Sequence, residues 1–150
     1  MVYKLGKRSL ERLEGVDERM VAVVKSAIQQ SDQDFSVICG LRSIEEQKKL
    51  VAKGASQTMK SKHIDGLAVD LAAWEDGIRW ELNLYDEIAD AMKAAANDFG
   101  IKIRWGAAWH LDSFADFRGS AEDAMNQYID IRRSQGRRPF IDAPHFELMV

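Results

Sequence analysis

His63 and Asp70 stand seven residues apart in the stretch SKHIDGLAVD (61–70), which runs from polar residues into an apolar segment. An imidazole and a carboxylate both serve as metal ligands and as acid–base groups. A fully extended chain would hold them about 23 Å apart at ~3.3 Å per residue, whereas two ligands of one ion lie within about 2 Å of it. The chain must therefore turn between them, and Gly66 tolerates the backbone angles such a turn needs. Beyond the turn the strand period puts Ala68 and Asp70 on one face and Leu67, Val69 and Leu71 on the other, which packs on the core. The small alanine beside Asp70 leaves space for an ion or a substrate. A buried carboxylate needs a partner or a cation, and a plain polar network with His63 or an arginine would also satisfy Asp70.

A second constellation lies near the C-terminus. In IDAPHFEL (141–148) Asp142 precedes His145 by three residues. Pro144 has no N–H to give a sheet and suits the start of a strand. His145 and Glu147 then share one face, with Phe146 and Leu148 on the other. His63, Asp70 and His145 make a set of two histidines and one carboxylate. Three protein ligands and one open position are the usual form of a catalytic zinc site. A non-haem iron triad uses the same ligand types, but the chain lacks the barrel pattern of that class.

Four ordered elements carry a resemblance. Ser61, His63, Gly66, Ala68 and Asp70 match SxHxxGxAxD, Asp142 and His145 match DxxH, GLRSIEEQ (40–47) supplies an arginine followed five residues later by a glutamine, and RWGAAW (104–109) resembles a WG..W element. The chain resembles the D-alanyl-D-alanine carboxypeptidase/VanY group of zinc peptidases over residues 8–150, and within it most closely the L-alanyl-D-glutamate endopeptidases used as phage endolysins. The resemblance implies an α+β domain of the hedgehog/DD-peptidase type, with a central, mainly antiparallel sheet packed with helices. It implies Zn2+ held by His63, Asp70 and His145, with Asp142 as the base that takes a proton from water and passes it to the leaving amine. Arg42 would stabilise the oxyanion, and Gln47 would orient Arg42 or the substrate. Ser61 and Trp109 are candidate substrate contacts, with Trp105 read as a second cleft wall or as core and Glu147 as a partner for a ligand histidine. The aspartate in the DxxH slot favours the endopeptidase over a D-alanyl-D-alanine carboxypeptidase, where glutamate is usual. A non-catalytic zinc-stabilised binding module is the remaining rival, and Asp142 argues against it. Residues 112–140 stand between the tryptophan loop and DxxH as an insertion relative to the family, read as a lid or a wall contact. His110, the third histidine, belongs to no motif and reads as satisfied or exposed.

The elements that must position these residues are legible in part. Asp17 caps a helix running to about Gln30, with Val21, Val24, Ala27 and Ile28 at helical spacing. Residues 34–41 read as a strand. Ser43 and Glu46 form a capping box that opens a helix to about Lys53, stopped by Gly54. Residues 55–62 read as a loop, 67–74 as a strand, 83–100 as an amphipathic helix closed by Gly100, 101–105 as a short alternating strand, 120–136 as a helix with Ser120 and Asp123 at its start, and 145–150 as a closing strand. Alternating helices and strands alone suggest a parallel α/β sheet. The uneven crossovers and the absence of a glycine-rich phosphate loop weigh against it, and the antiparallel fold implied by the resemblance is preferred.

Composition sets the outer bounds. The 150 residues suit one domain, are 46% hydrophobic and 30% charged, and carry a net charge of −3, so nothing points to nucleic acid. The arginines at 132, 133, 137 and 138 are a local exception, read as a solvated helix face and loop or as a contact for an anionic polymer. The lone cysteine, Cys39, forms no internal disulfide and reads as a small buried hydrophobe. The N-terminal residues lack the pattern of a signal peptide, and no stretch approaches the ~20 apolar residues of a membrane span. The expectation is a monomeric single zinc peptidase domain over 1–150 with no separate wall-binding domain. It would be made in the host cytoplasm and reach the stem peptides of peptidoglycan once the membrane is permeabilised.

Overall fold

The computed structural model describes residues 2–56 and 58–150; Gln57, within the loop predicted for 55–62, lies outside them. Helix starts follow their capping side chains. Asp17 accepts a hydrogen bond from the Arg19 N–H and opens α2 (Glu18–Gln30), after a short α1 (Lys7–Arg12) that the sequence reading did not anticipate. Ser43 and Glu46 form a complete capping box at α3 (Ile44–Ala52). Gly100, at φ 66°, closes α4 (Leu82–Phe99), where a left-handed residue costs glycine least. The Ser120 hydroxyl accepts from the Asp123 N–H and opens α5 (Ala121–Ser134).

The strands are β1 (Phe35–Cys39), β2 (Ala68–Trp74), β3 (Ile78–Arg79), β4 (Ile103–Trp105) and β5 (His145–Leu148). They form one sheet in the order β1-β2-β5-β4, with β3 paired to β2. Every pairing among the described residues is antiparallel. The parallel sheet suggested by element order is therefore wrong, and the α+β reading holds. The reason is that β5 inserts between β2 and β4 from a distant part of the chain, a pairing that element order does not report.

Sheet parity divides the molecule. Val37, Val69, Leu71, Ile103, Trp105, Phe146 and Leu148 are buried and join Met20, Val24, Ile88 and Met92 of α2 and α4 in one core. The opposite face carries the polar residues described below. Helix α1 guards the edge strand: Ser9 Oγ accepts from the Val37 N–H at 3.0 Å and Arg12 Nη1 donates to the Val37 carbonyl at 3.1 Å, which occupies an edge otherwise open to strand pairing. No helix among the described residues is long and apolar enough to cross a membrane.

One stability prediction arises between α4 and α5. Burial and the nearby carboxylates of Glu122, Asp90 and Glu87 push Asp86 up from 3.8 to about 6, and its buried Oδ1 has no partner among the described residues. The folded value lies above the unfolded one, so stability falls as pH rises from 3.8 through about 6 and stays reduced above that. Asp86→Asn is expected to stabilise the protein by about 1 kcal/mol at pH 8, a figure discounted for partial solvent screening, and to change nothing at pH 4. Thermal melts at the two pH values check it; equal shifts at both would contradict the charge argument.

Candidate metal centre and its cleft

The antiparallel register brings the two sequence constellations together. Asp70 on β2 pairs directly with His145 on β5, and Ala68 with Glu147. His63 arrives through the turn expected at Gly66, which sits at φ 71° and donates its N–H to the His63 carbonyl at 3.2 Å. His63 Nε2 and His145 Nδ1 each lie 3.2 Å from the same oxygen, Asp70 Oδ1.

The far nitrogen of each ring decides what the near one offers. His63 Nδ1 lies 2.9 Å from the Gly40 carbonyl, and His145 Nε2 lies 2.8 Å from Glu147 Oε1. Both partners are acceptors, so both far nitrogens carry protons, and in the neutral rings the near nitrogens present lone pairs toward Asp70. Three acceptors then converge on one point, which calls for a proton or a cation. Ligands of a tetrahedral ion bound at ~2.0–2.1 Å stand about 3.3 Å apart, close to the two separations of 3.2 Å. The residues therefore fit a metal ion such as zinc. Without one, burial opposes charging of the rings, but hydrogen bonds to the Asp70 carboxylate outweigh it and raise His63 to about 10 and His145 to about 9.

Asp142 stands beside this group. One of its carboxylate oxygens, one of Asp70 and a ring nitrogen of His145 lie within 4.8 Å of one another. Burial, then the charge of Asp70, push the Asp142 carboxyl above its ordinary range, the direction that strengthens a base. The WG element holds the DxxH turn in place. Trp105 Nε1 donates to the Ala143 carbonyl at 2.8 Å, the Gly106 N–H donates to the His145 carbonyl at 2.8 Å, and the Asp142 N–H donates to the Gly106 carbonyl at 2.8 Å. A Cβ on Gly106 would overlap the Asp142 carbonyl oxygen and press on His145 Cβ at 3.1 Å. Gly106→Ala is accordingly expected to displace both Asp142 and His145 and to reduce activity by at least about 100-fold, the scale of a ~1 Å misplacement. Kinetics with circular dichroism as a folding control would test this, and near-normal turnover would contradict it.

Arg42 reaches over the same group. Its Nη1 donates to Gln47 Oε1 at 2.7 Å, its Nη2 donates to Cys39 Sγ at 3.3 Å, and Nη2 stands 3.6 Å from Asp70 Oδ2. Gln47 is fully buried and its amide also binds Ser56 Oγ and the Thr58 carbonyl. Of its two anticipated roles the geometry favours holding Arg42, because the side chain does not line the cleft. Ser61 Oγ accepts from the His63 N–H at 3.2 Å and also lines the cleft.

The cleft measures about 680 Å³ and is bordered by Arg42, Lys60, Lys62, Trp109 and Phe140 around the His–Asp group. Of the two tryptophans only Trp109 borders it. Trp105 is fully buried in the core, which decides between its two readings in favour of core. The alternation of Ile103 and Trp105 in β4 signals that burial. The Trp109 ring lies 5.5 Å from that of His145, and Arg104 sits 5.2 Å from the Trp109 ring while donating to its carbonyl at 2.7 Å. His110 lies away from the cleft, with Nε2 2.8 Å from Gln127 Oε1 and its ring stacked on Tyr128, while its buried Nδ1 has no partner among the described residues.

Cys39 departs from its expected role as a simple buried hydrophobe. A register shift between Val37 and Cys39 places it opposite Asp70, half-buried, with Sγ 3.7 Å from His63 Nδ1. Such a bulge turns a side chain to the other face of the sheet. The sequence reading also missed Phe140, Lys60 and Lys62 as cleft residues, since no spacing rule links them to the motifs.

An antiparallel α+β fold with two histidines, two carboxylates and an arginine at one cleft makes a candidate hydrolase-type metal centre. The phage L-alanyl-D-glutamate peptidase family matches residues 1–149, and the chain belongs to that family. It is 34% identical over 115 residues to the L-alanyl-D-glutamate peptidase of Escherichia phage T5, covering 73% of this chain and 84% of the relative. The crystal structure of the Serratia marcescens L-Ala D-Glu endopeptidase ChiX matches with a TM-score of 0.72 at 32% identity, covering 98% of this chain and 90% of that one.

Proposed function

We propose that this chain is a zinc-dependent peptidase of peptidoglycan stem peptides that hydrolyses the bond between L-alanine and D-glutamate. The observation that carries the reading is the convergence of His63 Nε2 and His145 Nδ1 on Asp70 with the Asp142 carboxylate alongside. Family membership and the activities named for both relatives support the bond assigned. Zinc suits a mixed nitrogen and oxygen donor set with an open position, and when bound it polarises a carbonyl and lowers the pKa of water to about 7.

The protein's own groups do the rest. Asp142 takes a proton from the attacking water and delivers it to the departing amine. Arg42, clamped by Gln47 and Cys39, donates to the scissile carbonyl oxygen as negative charge develops there. Gly40 and Glu147 fix the tautomers of His63 and His145, while Trp109 and Ser61 border the bound peptide. A monomer is the expected working unit. As an endolysin made in the host cytoplasm, it would act on the wall after the membrane is permeabilised.

Mass spectrometry of purified sacculi digested with the zinc-loaded protein tests the reading. New L-alanine carboxyl ends paired with D-glutamate amino ends are expected. Release of D-alanine alone would reassign the enzyme as a carboxypeptidase, and bound zinc with no new ends would reassign it as a binding module.

A further inference from the structure

Four arginines crowd the end of α5 and the loop beyond it: Arg132, Arg133, Arg137 and Arg138. The helix macrodipole accounts for two of them, because Arg132 and Arg133 occupy the last turn, where positive charge is favourable. It does not account for Arg137 and Arg138, which follow Gly136 at φ 68°. There the chain folds back. The Arg137 N–H donates to the Arg132 carbonyl at 2.9 Å, and Arg132 Nε donates to the Arg138 carbonyl at 3.1 Å. Like charges are thus gathered rather than spread. Among the described residues the ion pairs involve other side chains, and none engages these four arginines. Arg133, Arg137 and Arg138 are exposed, on a chain whose net charge is −3.

This strip is tied to the cleft. The Arg132 guanidinium lies 5.7 Å from the centroid of the Tyr128 ring. Tyr128 Oη accepts from the Phe140 N–H at 3.1 Å and donates to the Phe140 carbonyl at 3.3 Å. Phe140 in turn lines the cleft. A side chain bound to both backbone groups of one residue fixes the loop, and with it the distance between the basic strip and the cleft mouth.

We infer that the strip at Arg133, Arg137 and Arg138 is a docking surface for the carboxylate-bearing peptidoglycan polymer, holding neighbouring stem peptides while the cleft engages one. The inference rests on the peptidase reading. Stem peptides joined through the side-chain carboxyl of D-glutamate keep its α-carboxylate free, so the polymer presents repeated negative charge. A cleft seated on one stem peptide brings the adjoining strip over the next ones, whereas a short peptide ends inside the cleft. The strip therefore acts on the polymer only, through exposed charge contacts that salt screens.

The test compares sacculi, freed of teichoic acid and lipid, with a short soluble stem peptide. Sedimentation with sacculi is measured in zinc-loaded protein carrying Asp142→Asn, so that the wall stays intact. Adding R133Q, R137Q and R138Q together is expected to weaken sacculus binding about tenfold, the combined scale of three exposed charge contacts. Lysine at the same three positions should stay within about twofold, and rising salt should weaken binding of the arginine protein. In the otherwise wild-type enzyme the three glutamines should leave short-peptide turnover within about twofold. Unchanged sacculus binding by the glutamine variant would overturn the inference. So would an equal loss of short-peptide turnover, which would mean a distorted cleft. Arginine-dependent binding to phosphatidylglycerol vesicles with none to sacculi would overturn it too, assigning the strip to lipid. A wild-type enzyme that leaves the short peptide uncut would overturn the peptidase reading, and sedimentation would still decide the strip.

Discussion

Asp142→Asn is expected to give a folded protein that still binds zinc and hydrolyses stem peptides about 10³-fold more slowly, within the range lost when a general acid–base group is removed. The substitution keeps the shape of the side chain and leaves the Asp142 N–H and carbonyl in their hydrogen bonds to Gly106 and His145. It removes only the group proposed to accept and return a proton. Both histidines proposed as ligands keep their orienting acceptors, Gly40 and Glu147, so metal content should be unchanged. Measuring kcat beside zinc stoichiometry separates the two effects. Retained turnover would show that Asp142 is not the base, and lost zinc would make it a ligand.

His145→Ala is expected to lower metal affinity by more than about 100-fold and to abolish activity. Removing a partner outside the ligand shell already costs about 10–100-fold, and this change removes a ligand itself. Its second effect falls on Glu147, whose buried carboxylate holds a 2.8 Å contact to His145 Nε2. Stripped of that donor, Glu147 should cost the fold on the order of 2 kcal/mol. Equilibrium dialysis of zinc and urea unfolding read the two consequences separately. Because a poorly folded variant would also lose metal, Glu147→Gln is the companion. Its amide leaves the ligand set untouched and should weaken zinc binding by about 10–100-fold. A fully metallated, active His145→Ala protein would refute the ligand set.

Much of this protein follows from short stretches of its sequence, for a common reason. Capping at Asp17, Ser43 and Ser120, the turn at Gly66 and the parity of Ala68–Asp70 and His145–Glu147 involve residues within a few positions of one another, where backbone angles and side-chain reach decide the outcome. The histidines, carboxylates and arginine of the centre were recognisable as types and spacings on the same ground. Short stretches leave Trp105 open between cleft wall and core, and they make Cys39 a plain buried hydrophobe. For Trp105 the alternation in β4 held the answer, while Cys39 depends on a bulge in β1 that its own neighbours do not announce.

The tertiary structure decided what lies between distant segments. Element order alone favoured a parallel sheet, yet β5 enters between β2 and β4. That insertion sets His145 opposite Asp70 across 75 residues of chain. Which register wins depends on how all the apolar faces pack at once, and a one-residue slip would turn His145 away from Asp70. The same packing seats α5 so that Tyr128 fixes Phe140 at the cleft and the arginines beside it. Sequence by itself determined which groups the site has; the competition among long-range pairings determined that they meet.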